Sequence, residues 1–175
     1  MIRTYHNGRF EWFVIATVIA LISVVALSRY WFMAEDARIL RMEILAHRFV
    51  TAAANARIEF LVSSLASKHN ADERQITIAN RVVYFSSQAW PVAVSGPVVE
   101  GFSLTEEDCA QLWELLLQNP AALSRSTQLN ESAEYQVYAG DLVCRFELVN
   151  SNAFFDYYPM DGRILFSPGG ERDSL

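Results

Sequence analysis

The feature that most constrains this chain is a long apolar run near its start. From Trp12 to Ser28 the sequence has 17 consecutive uncharged residues, nearly all aliphatic or aromatic. At ~1.5 Å per helical residue the run spans about 26 Å, close to the ~30 Å hydrocarbon thickness of a bilayer. Glu11 and Arg29 lie at its two ends, where a charged group reaches the interface and avoids the ~3 kcal/mol cost of a central charge. The run therefore predicts a membrane helix over residues 10–33.

Two other interpretations of the run stay open. A cleaved secretory signal would use the small residues Ala26 and Ser28 at its cleavage site. Against this, the run is longer than the usual ~7–15 residues of such a core, and Glu11 lies where a signal is basic. A buried core helix of a soluble protein is the second alternative. The aromatic residues Trp12 and Tyr30, at the two expected interfaces, favour the membrane helix.

The helix has no sequence signal that would stop it at the membrane surface. Glycine and proline, the usual helix breakers, are absent between Gly8 and Pro91. Beyond Ala34 the apolar residues recur three and four positions apart, which is the spacing of one helix face. We therefore expect the helix to continue to about Ser67. The residues of this apolar face are Ile39, Met42, Ala46, Phe49, Ala53, Ala56 and Phe60.

Strand patterns dominate the remainder of the chain. Residues 74–87 predict two short strands with Asn80 at the turn, and residues 90–94 predict a third. Four more patterns follow later, with tight turns at Gly140-Asp141 and Asp161-Gly162. These later strands are expected at residues 134–140, 141–149, 153–158 and 163–167.

One helix interrupts the strands. Ser103 and Glu106 have the spacing of a capping box, and Asn119-Pro120 supplies a stop signal. The three carboxylates Glu106, Glu107 and Asp108 could resemble a cation site, but the positive end of the helix dipole explains them more simply.

These elements predict an α+β fold. A long N-terminal helix, half in the membrane and half amphipathic, packs on a small antiparallel sheet together with a second helix. The predicted organisation is a short cytoplasmic start at 1–9, a transmembrane helix at 10–33, its amphipathic continuation at 34–68, a periplasmic α+β domain at 69–168 and a disordered tail at 169–175.

Charge is divided unevenly along the chain. Residues 1–70 carry 8 Lys plus Arg and 5 Asp plus Glu, a net +3, whereas residues 71–175 carry 6 and 15, a net −9. An acidic domain without clustered lysines excludes nucleic acid as a partner. Arginines lie on both sides of the apolar run, so the positive-inside rule does not choose an orientation.

Cys109 and Cys144 are the two cysteines of the chain, and both lie in its acidic part. A pair is compatible with one disulfide, which would pin the second helix to a strand and place this part in an oxidising compartment. Two buried free thiols are the alternative.

Catalytic and cofactor-binding patterns are missing from the sequence. Residues 70–175 contain no histidine, which excludes a His-based triad and a His-rich zinc site there. A Gly-rich phosphate loop and a His-Glu-x-x-His helix are also absent. We therefore expect no enzyme activity, no cofactor, no metal and no small-molecule substrate. The aromatic cluster Phe154, Phe155, Tyr157 and Tyr158 is expected to be core more than an exposed binding surface.

The start of the chain resembles type IV pilins and pseudopilins. Glu11 heads the apolar run, and "VVALSRYW" (24–31) closes it where pilins commonly read Ala-Leu-Pro, a basic or polar residue and an aromatic. The resemblance covers about residues 7–60. Two further segments, "FEWF" and "CRFELVNSNAFFDYYPMDGRILF", resemble biogenesis proteins of mannose-sensitive haemagglutinin (MSHA) pili.

The resemblance implies an assembly role for Glu11. In the family this glutamate pairs with the free amino terminus of a neighbouring subunit, an ion pair that the low dielectric of lipid strengthens. An interfacial carboxylate without a special role is the alternative. Alignment on "ALSRY" puts His6 where the family has the glycine of its cleavage site, whereas alignment on Gly8 leaves Glu11 two places early. Cleavage by prepilin peptidase therefore stays open.

The sequence thus predicts an inner-membrane, single-pass protein with a periplasmic domain. Its expected function is that of an accessory or minor subunit of an MSHA-type pilus, and its expected partners are the membrane and other pilin-like subunits or biogenesis proteins. Two alternatives remain. One is a minor pseudopilin of a type II secretion system, and the other is a membrane-tethered periplasmic domain that binds or senses a ligand.

Overall fold

The computed structural model of the protein describes residues 8–66, 74–94, 96, 103–118, 122–125 and 133–169. The chain forms two compact units, Met1–Leu40 (unit 1) and Arg41–Leu175 (unit 2). Residues 1–7 of the predicted start at 1–9, and residues 170–175 of the predicted tail at 169–175, lie outside the described residues. The division between the units falls inside the first helix.

Two helices and eight strands make up the described residues. The helices are α1, Gly8–Ala66, and α2, Glu106–Leu117. The strands are β1 Gln75–Ile78, β2 Arg81–Phe85, β3 Pro91–Ala93, β4 Leu123–Arg125, β5 Tyr135–Ala139, β6 Cys144–Leu148, β7 Phe154–Tyr158 and β8 Arg163–Ser167. This mixture of helix and sheet confirms the predicted α+β class. The unbroken helix that the sequence predicted to about Ser67 ends at Ala66.

The strands form two sheets. Strands β1, β2 and β3 pair antiparallel in that order, and strands β4 to β8 form a five-stranded sheet in chain order. Only the β4–β5 pair in the second sheet is parallel. The prediction of one small antiparallel sheet did not include β4. Three residues, Leu-Ser-Arg, are too short to show an alternating pattern.

Unit 2 is organised around the part of α1 that begins at Arg41. Phe49 is fully buried, and its ring centroid lies 5.0 Å from that of Tyr157, 5.4 Å from Phe146 and 5.6 Å from Phe155. Strands β6 and β7 supply these three rings from one sheet face, because alternate residues of a strand face the same way. The inner face of α1 therefore docks on the five-stranded sheet. The other buried residues of this face are Met42, Ala46, Ala53 and Ala56.

Helix α2 packs on the same sheet face. The Trp113 ring is fully buried and lies 5.0 Å from Phe146 and 6.2 Å from Phe155, two rings that also contact Phe49. Aromatic pairs at these separations contribute ~0.5–1.5 kcal/mol each beyond the burial of their area. One aromatic cluster therefore joins both helices to the sheet.

The start of α2 corrects the predicted capping box. The cap is Thr105 with Asp108, not Ser103 with Glu106: the Thr105 hydroxyl accepts from the Asp108 amide, and the Asp108 carboxylate accepts from the Thr105 amide. Both pairs have the required spacing of three residues. The observed pair buries Asp108 and Leu104, so tertiary packing selects the later start. The helix ends at Leu117 with Gln118 left-handed, and the predicted stop at 119–120 lies outside the described residues.

Two tight turns follow the predictions. Ala79 and Asn80 join β1 to β2 with φ of 47° and 64°, as a two-residue hairpin turn requires. Gly162 joins β7 to β8 with φ of 73°, and its amide donates to the Tyr158 carbonyl. At the third predicted turn, Gly140-Asp141, the chain reverses over four residues, 140–143, because Ala139 pairs with Cys144, and the Gly140 amide donates to the Val143 carbonyl.

The first prediction concerns the inner face of α1. Phe49→Ala should lower the free energy of unfolding of unit 2 by about 3–5 kcal/mol, because it removes a fully buried ring and leaves a cavity. Leu61→Ala, on an exposed part of the same helix, is the control and should change it by less than about 1 kcal/mol. Urea unfolding followed by tryptophan fluorescence measures both. Similar losses for the two variants would contradict this packing.

The second prediction concerns Gly162, against which the Trp90 ring packs. A Cβ at Gly162 would lie 2.0 Å from Trp90 Cε2, and φ is positive, so Gly162→Ala should cost at least about 2 kcal/mol. A Cβ at Gly96 would meet no atom within 4 Å, which makes Gly96→Ala the matched control with almost no loss. Thermal unfolding compares the two, and equal melting temperatures would count against the Trp90 contact.

Candidate membrane and packing surfaces

The N-terminal part of α1 exposes an apolar surface on all sides. Twenty residues, Glu11–Tyr30, have a mean hydropathy of 2.2, and none of the most apolar stretch is buried. Large side chains such as Ile22 and Val24 are about two-thirds exposed. A core helix of a soluble protein would bury such side chains, since each gains ~1.5–3 kcal/mol on leaving water. Among the described residues, one helix is long and apolar enough to span a membrane, and it is this N-terminal part of α1.

Glu11 is the acidic residue of the first turn of α1 and is exposed. This position places its carboxylate near the positive end of the helix dipole and at the end of the apolar segment. Thr17 and Ser23 further along donate their hydroxyls to the carbonyls of Phe13 and Ile19, so these polar groups are satisfied within the helix. The assembly role of Glu11 stays a prediction.

A second apolar surface lies on the outer side of α1 in unit 2. We call it the outer stripe and define it as Ile44, Arg48, Thr51, Asn55, Ile58, Val62 and Leu65. Ile44 is 46% exposed, Ile58 59%, Val62 60% and Leu65 84%. A shallow groove lined by Ile44, His47, Arg48, Thr51, Ala52 and Asn55 runs along part of it.

Sequence reasoning missed the outer stripe for a physical reason. The inner face and the outer stripe both recur at spacings of three and four. The inner series is uninterrupted by polar residues, whereas Arg48, Thr51 and Asn55 interrupt the outer one, so the inner pattern is the more visible. The signal was available, because a second series with the same period starts at Ile44.

Cys109 and Cys144 are joined as a disulfide in unit 2, with their Cα atoms 5.5 Å apart. The bond links α2 to β6, the elements between which the sequence predicted a possible bridge. Both residues are fully buried. A buried bridge between a helix and a sheet strand restricts the unfolded chain and is sheltered from thiols in solution.

The sheet face opposite the helices carries an ion pair between the exposed Arg145 and the buried Asp156. Arg145 Nε and Nη2 donate to the two carboxylate oxygens of Asp156, each at 2.8 Å, and Asp156 is buried. The Arg145 guanidinium also lies 4.1 Å from the centroid of the Phe154 ring. The hydrogen bonds that Arg145 donates to Asp156 are the main cause that raises the pKa of Arg145 above its usual value. This bidentate geometry holds the Arg145 guanidinium in one orientation on the sheet face, where it acts as a structural cation.

The aromatic cluster in β7 is divided between the two sheet faces. Phe155 and Tyr157 are fully buried against α1, as predicted for core residues. Phe154 and Tyr158 are half-buried on the opposite face, where the guanidinium of Arg145 lies over Phe154 and that of Arg163 over Tyr158. The expectation of core packing therefore holds for alternate residues, as strand geometry requires.

The acidic start of α2 is held by local partners. Glu107 forms an ion pair with Arg125 at 2.8 Å and accepts a hydrogen bond from Gln111, while Asp108 completes the cap. The Glu107–Arg125 pair joins α2 to β4. Across the ranges that the structure describes, no group of three or more His, Cys, Asp or Glu residues is placed to hold a metal ion.

The two sheets of unit 2 meet at Tyr157 and Trp90. The Tyr157 hydroxyl donates to the Pro91 carbonyl at 2.8 Å, and the Arg57 guanidinium of α1 lies 4.6 Å from the centroid of the Trp90 ring. Burial raises the pKa of the Tyr157 hydroxyl above its usual value of 10.0, and the negative charge of Asp161 adds to the rise. The hydroxyl therefore stays neutral and keeps the hydrogen bond that joins the two sheets.

Comparison with known proteins gives no relative. No protein-family model, curated protein or solved structure matches this chain. The described residues define an α+β protein, and among them one helix near the N-terminus is a candidate membrane span.

The third prediction concerns the disulfide. The variant Cys109→Ala/Cys144→Ala should have a free energy of unfolding about 4 kcal/mol lower than that of the wild type. The reason is that the bond closes a loop with a sequence separation of 35. Adding a reductant during unfolding should shift the wild-type melting temperature and leave the double variant unchanged. A wild type that is equally insensitive to the reductant would contradict a stabilising bond.

The fourth prediction concerns pH. The unfolded chain ionises Tyr157 near pH 10.0 while the folded chain resists it, so the unfolded state binds fewer protons and stability should fall as the pH rises above about 10. Tyr157→Phe should make this fall shallower, and at pH 7 it should cost ~1 kcal/mol for the lost bond to Pro91. Urea unfolding at several pH values from 8 to 11 measures both effects. An unchanged slope would contradict the assignment.

Proposed function

We propose that this protein is an accessory or minor pilin-like subunit in the assembly of a type IV pilus of the MSHA type. In the segments that carry the likeness it resembles the MSHA biogenesis protein MshF. It acts by packing its helix α1 against helices of other pilus components, and it has no enzymatic role.

The observation that carries the proposal is that α1 has two different surfaces along its length, an exposed apolar segment and a face that packs on the sheet. One end of this helix has Glu11 in its first turn followed by an exposed apolar segment. The part from Arg41 onward supplies the inner face on which the five-stranded sheet packs. A helix that is apolar at one end and covered by a small α+β domain at the other is the arrangement that the pilin resemblance implies.

The same helix and the disulfide support the location that we propose. We place Glu11–Tyr30 in the inner membrane and unit 2 in the periplasm, where disulfides form and persist. Small residues in the membrane segment, Ala16, Ala20 and Ala26, let neighbouring helices approach closely. Lateral packing of helices then provides the contact with other pilin-like subunits.

The fifth prediction tests this function by deletion and complementation. Deleting the gene should reduce the pilin recovered by shearing cells by at least about tenfold, and the wild-type chain should restore it. Glu11→Gln should restore it poorly, because the paired charge is lost from a low-dielectric site. Asp36→Asn, an exposed carboxylate on the same helix, is the matched control and should restore it fully.

The outcomes separate the alternatives. Full piliation after deletion would contradict a role in pilus assembly. A loss of type II secretion with normal piliation would favour the pseudopilin alternative. Full restoration by Glu11→Gln would remove the family role of Glu11 without removing the assembly role.

A further inference from the structure

We propose that the outer stripe of α1 pairs with the same stripe of a second copy of this chain, forming a parallel two-stranded coiled coil. The proposal rests on the proposed function only in that both require α1 to be anchored in a membrane. It adds a defined partner and a defined contact surface.

The spacing of the outer stripe is that of a coiled-coil seam. Its seven positions, from Ile44 to Leu65, are separated by 4, 3, 4, 3, 4 and 3 residues. This assigns Ile44, Thr51, Ile58 and Leu65 to the d positions of a heptad and Arg48, Asn55 and Val62 to the a positions. At ~100° per residue the stripe lies on the side of the helix opposite the inner face. The sheet and a partner helix can therefore contact α1 at the same time.

The exposed side chains and the groove favour a helix as the partner. Ile58, Val62 and Leu65 are each more than half exposed on successive turns. Knobs from a facing helix would cover them and would enter the groove beside Thr51 and Asn55. Moving such aliphatic side chains out of water and into a helix interface is favourable.

Asn55, at an a position of the seam, favours a second copy. A single Asn at an a position specifies register and a two-stranded state, since the two amides pair with each other across the seam. In the parallel in-register arrangement Asn55 faces Asn55 of the other copy. In an unrelated apolar groove this amide would have no hydrogen-bond partner, and its burial would cost free energy.

The flanking charges are compatible with this pairing. In the parallel arrangement His47 faces Ala52 of the other copy, and Ala54 faces Glu59, so these positions bring no like charges together. Arg48 faces Arg48 of the other copy. Its long side chain can direct the guanidinium out of the seam into water. The cost at Arg48 makes the pairing reversible and places most of its stability between Asn55 and Leu65.

Membrane anchoring supplies the orientation and the concentration. Two copies inserted by Glu11–Tyr30 share one direction through the bilayer, which selects the parallel pairing. Confinement to a surface also raises the effective concentration of one stripe near the other, so a seam of three heptads suffices.

Cysteine cross-linking of the full chain in native membranes tests the proposal. The two native cysteines are paired with each other, so one introduced cysteine is the free thiol of the described residues. Leu65→Cys and Ile58→Cys, both d positions, should give a disulfide-linked dimer on mild oxidation. Ser64→Cys is the matched control, because it is also exposed but lies on the other side of the helix. We expect its dimer yield to be at least about tenfold lower than that of Leu65→Cys.

Two differently tagged copies in the same cells identify the partner. The Leu65→Cys cross-link should carry both tags, and adding Ile58→Asp and Val62→Asp should lower its yield at least about tenfold without changing the unfolding of unit 2. No cross-link at either d position, equal yields for Ser64→Cys and Leu65→Cys, or a product with a different protein would each overturn the proposal. Piliation is scored separately in these strains. A dimer with no effect of gene deletion on pili refutes the proposed function alone, and normal dependence of pili on the gene without a dimer refutes this inference alone.

Discussion

The contact between Phe49 and the three rings from β6 and β7 determines how unit 2 is built. Helix α1 presents small buried residues, Ala46, Ala53 and Ala56, around this one large ring. The same rings, Phe146 and Phe155, contact Trp113 of α2. The disulfide between α2 and β6 then fixes the second helix to the sheet that the first helix covers. Loss of the Phe49 ring would remove the aromatic contacts by which α1 joins β6 and β7, and would leave α1 its stacking of Phe60 on Phe85 of β2.

This use of α1 explains why its surface has three different characters. The segment Glu11–Tyr30 is apolar on all sides and exposed, as lipid requires. From Arg41 onward one face is buried by the sheet. The opposite face keeps the outer stripe, which is too regular in spacing for scattered surface residues and too interrupted by Arg48 and Asn55 for a core. The proposed function, assembly by helix packing, uses the first and third of these surfaces together.

Much of this arrangement could be predicted from the sequence, because its signals are local. The absence of glycine and proline from Arg9 to Trp90 predicted one unbroken α1, and the Asn80 and Gly162 turns predicted their hairpins. The missing parts depend on tertiary contacts. Strand β4 is held by its parallel pairing with β5 and by the Glu107–Arg125 ion pair, neither of which three residues can reveal. The cap at Thr105 was selected over Ser103 by the burial of Asp108. The outer stripe has a periodic signal of its own in the sequence, but its exposure depends on which face of α1 the sheet covers.

The central claim is that Glu11–Tyr30 remains in the mature chain as a membrane anchor for a disulfide-bonded domain. Its most direct test is the intact mass of the native protein recovered from membranes after alkaline washing, with its cysteines alkylated before and after reduction. The account predicts a chain that stays in the membrane fraction, retains residues 11–30, and takes up label at Cys109 and Cys144 only after reduction. A soluble chain that begins near Ser28 would contradict it, because the apolar run would then be a cleaved secretory signal.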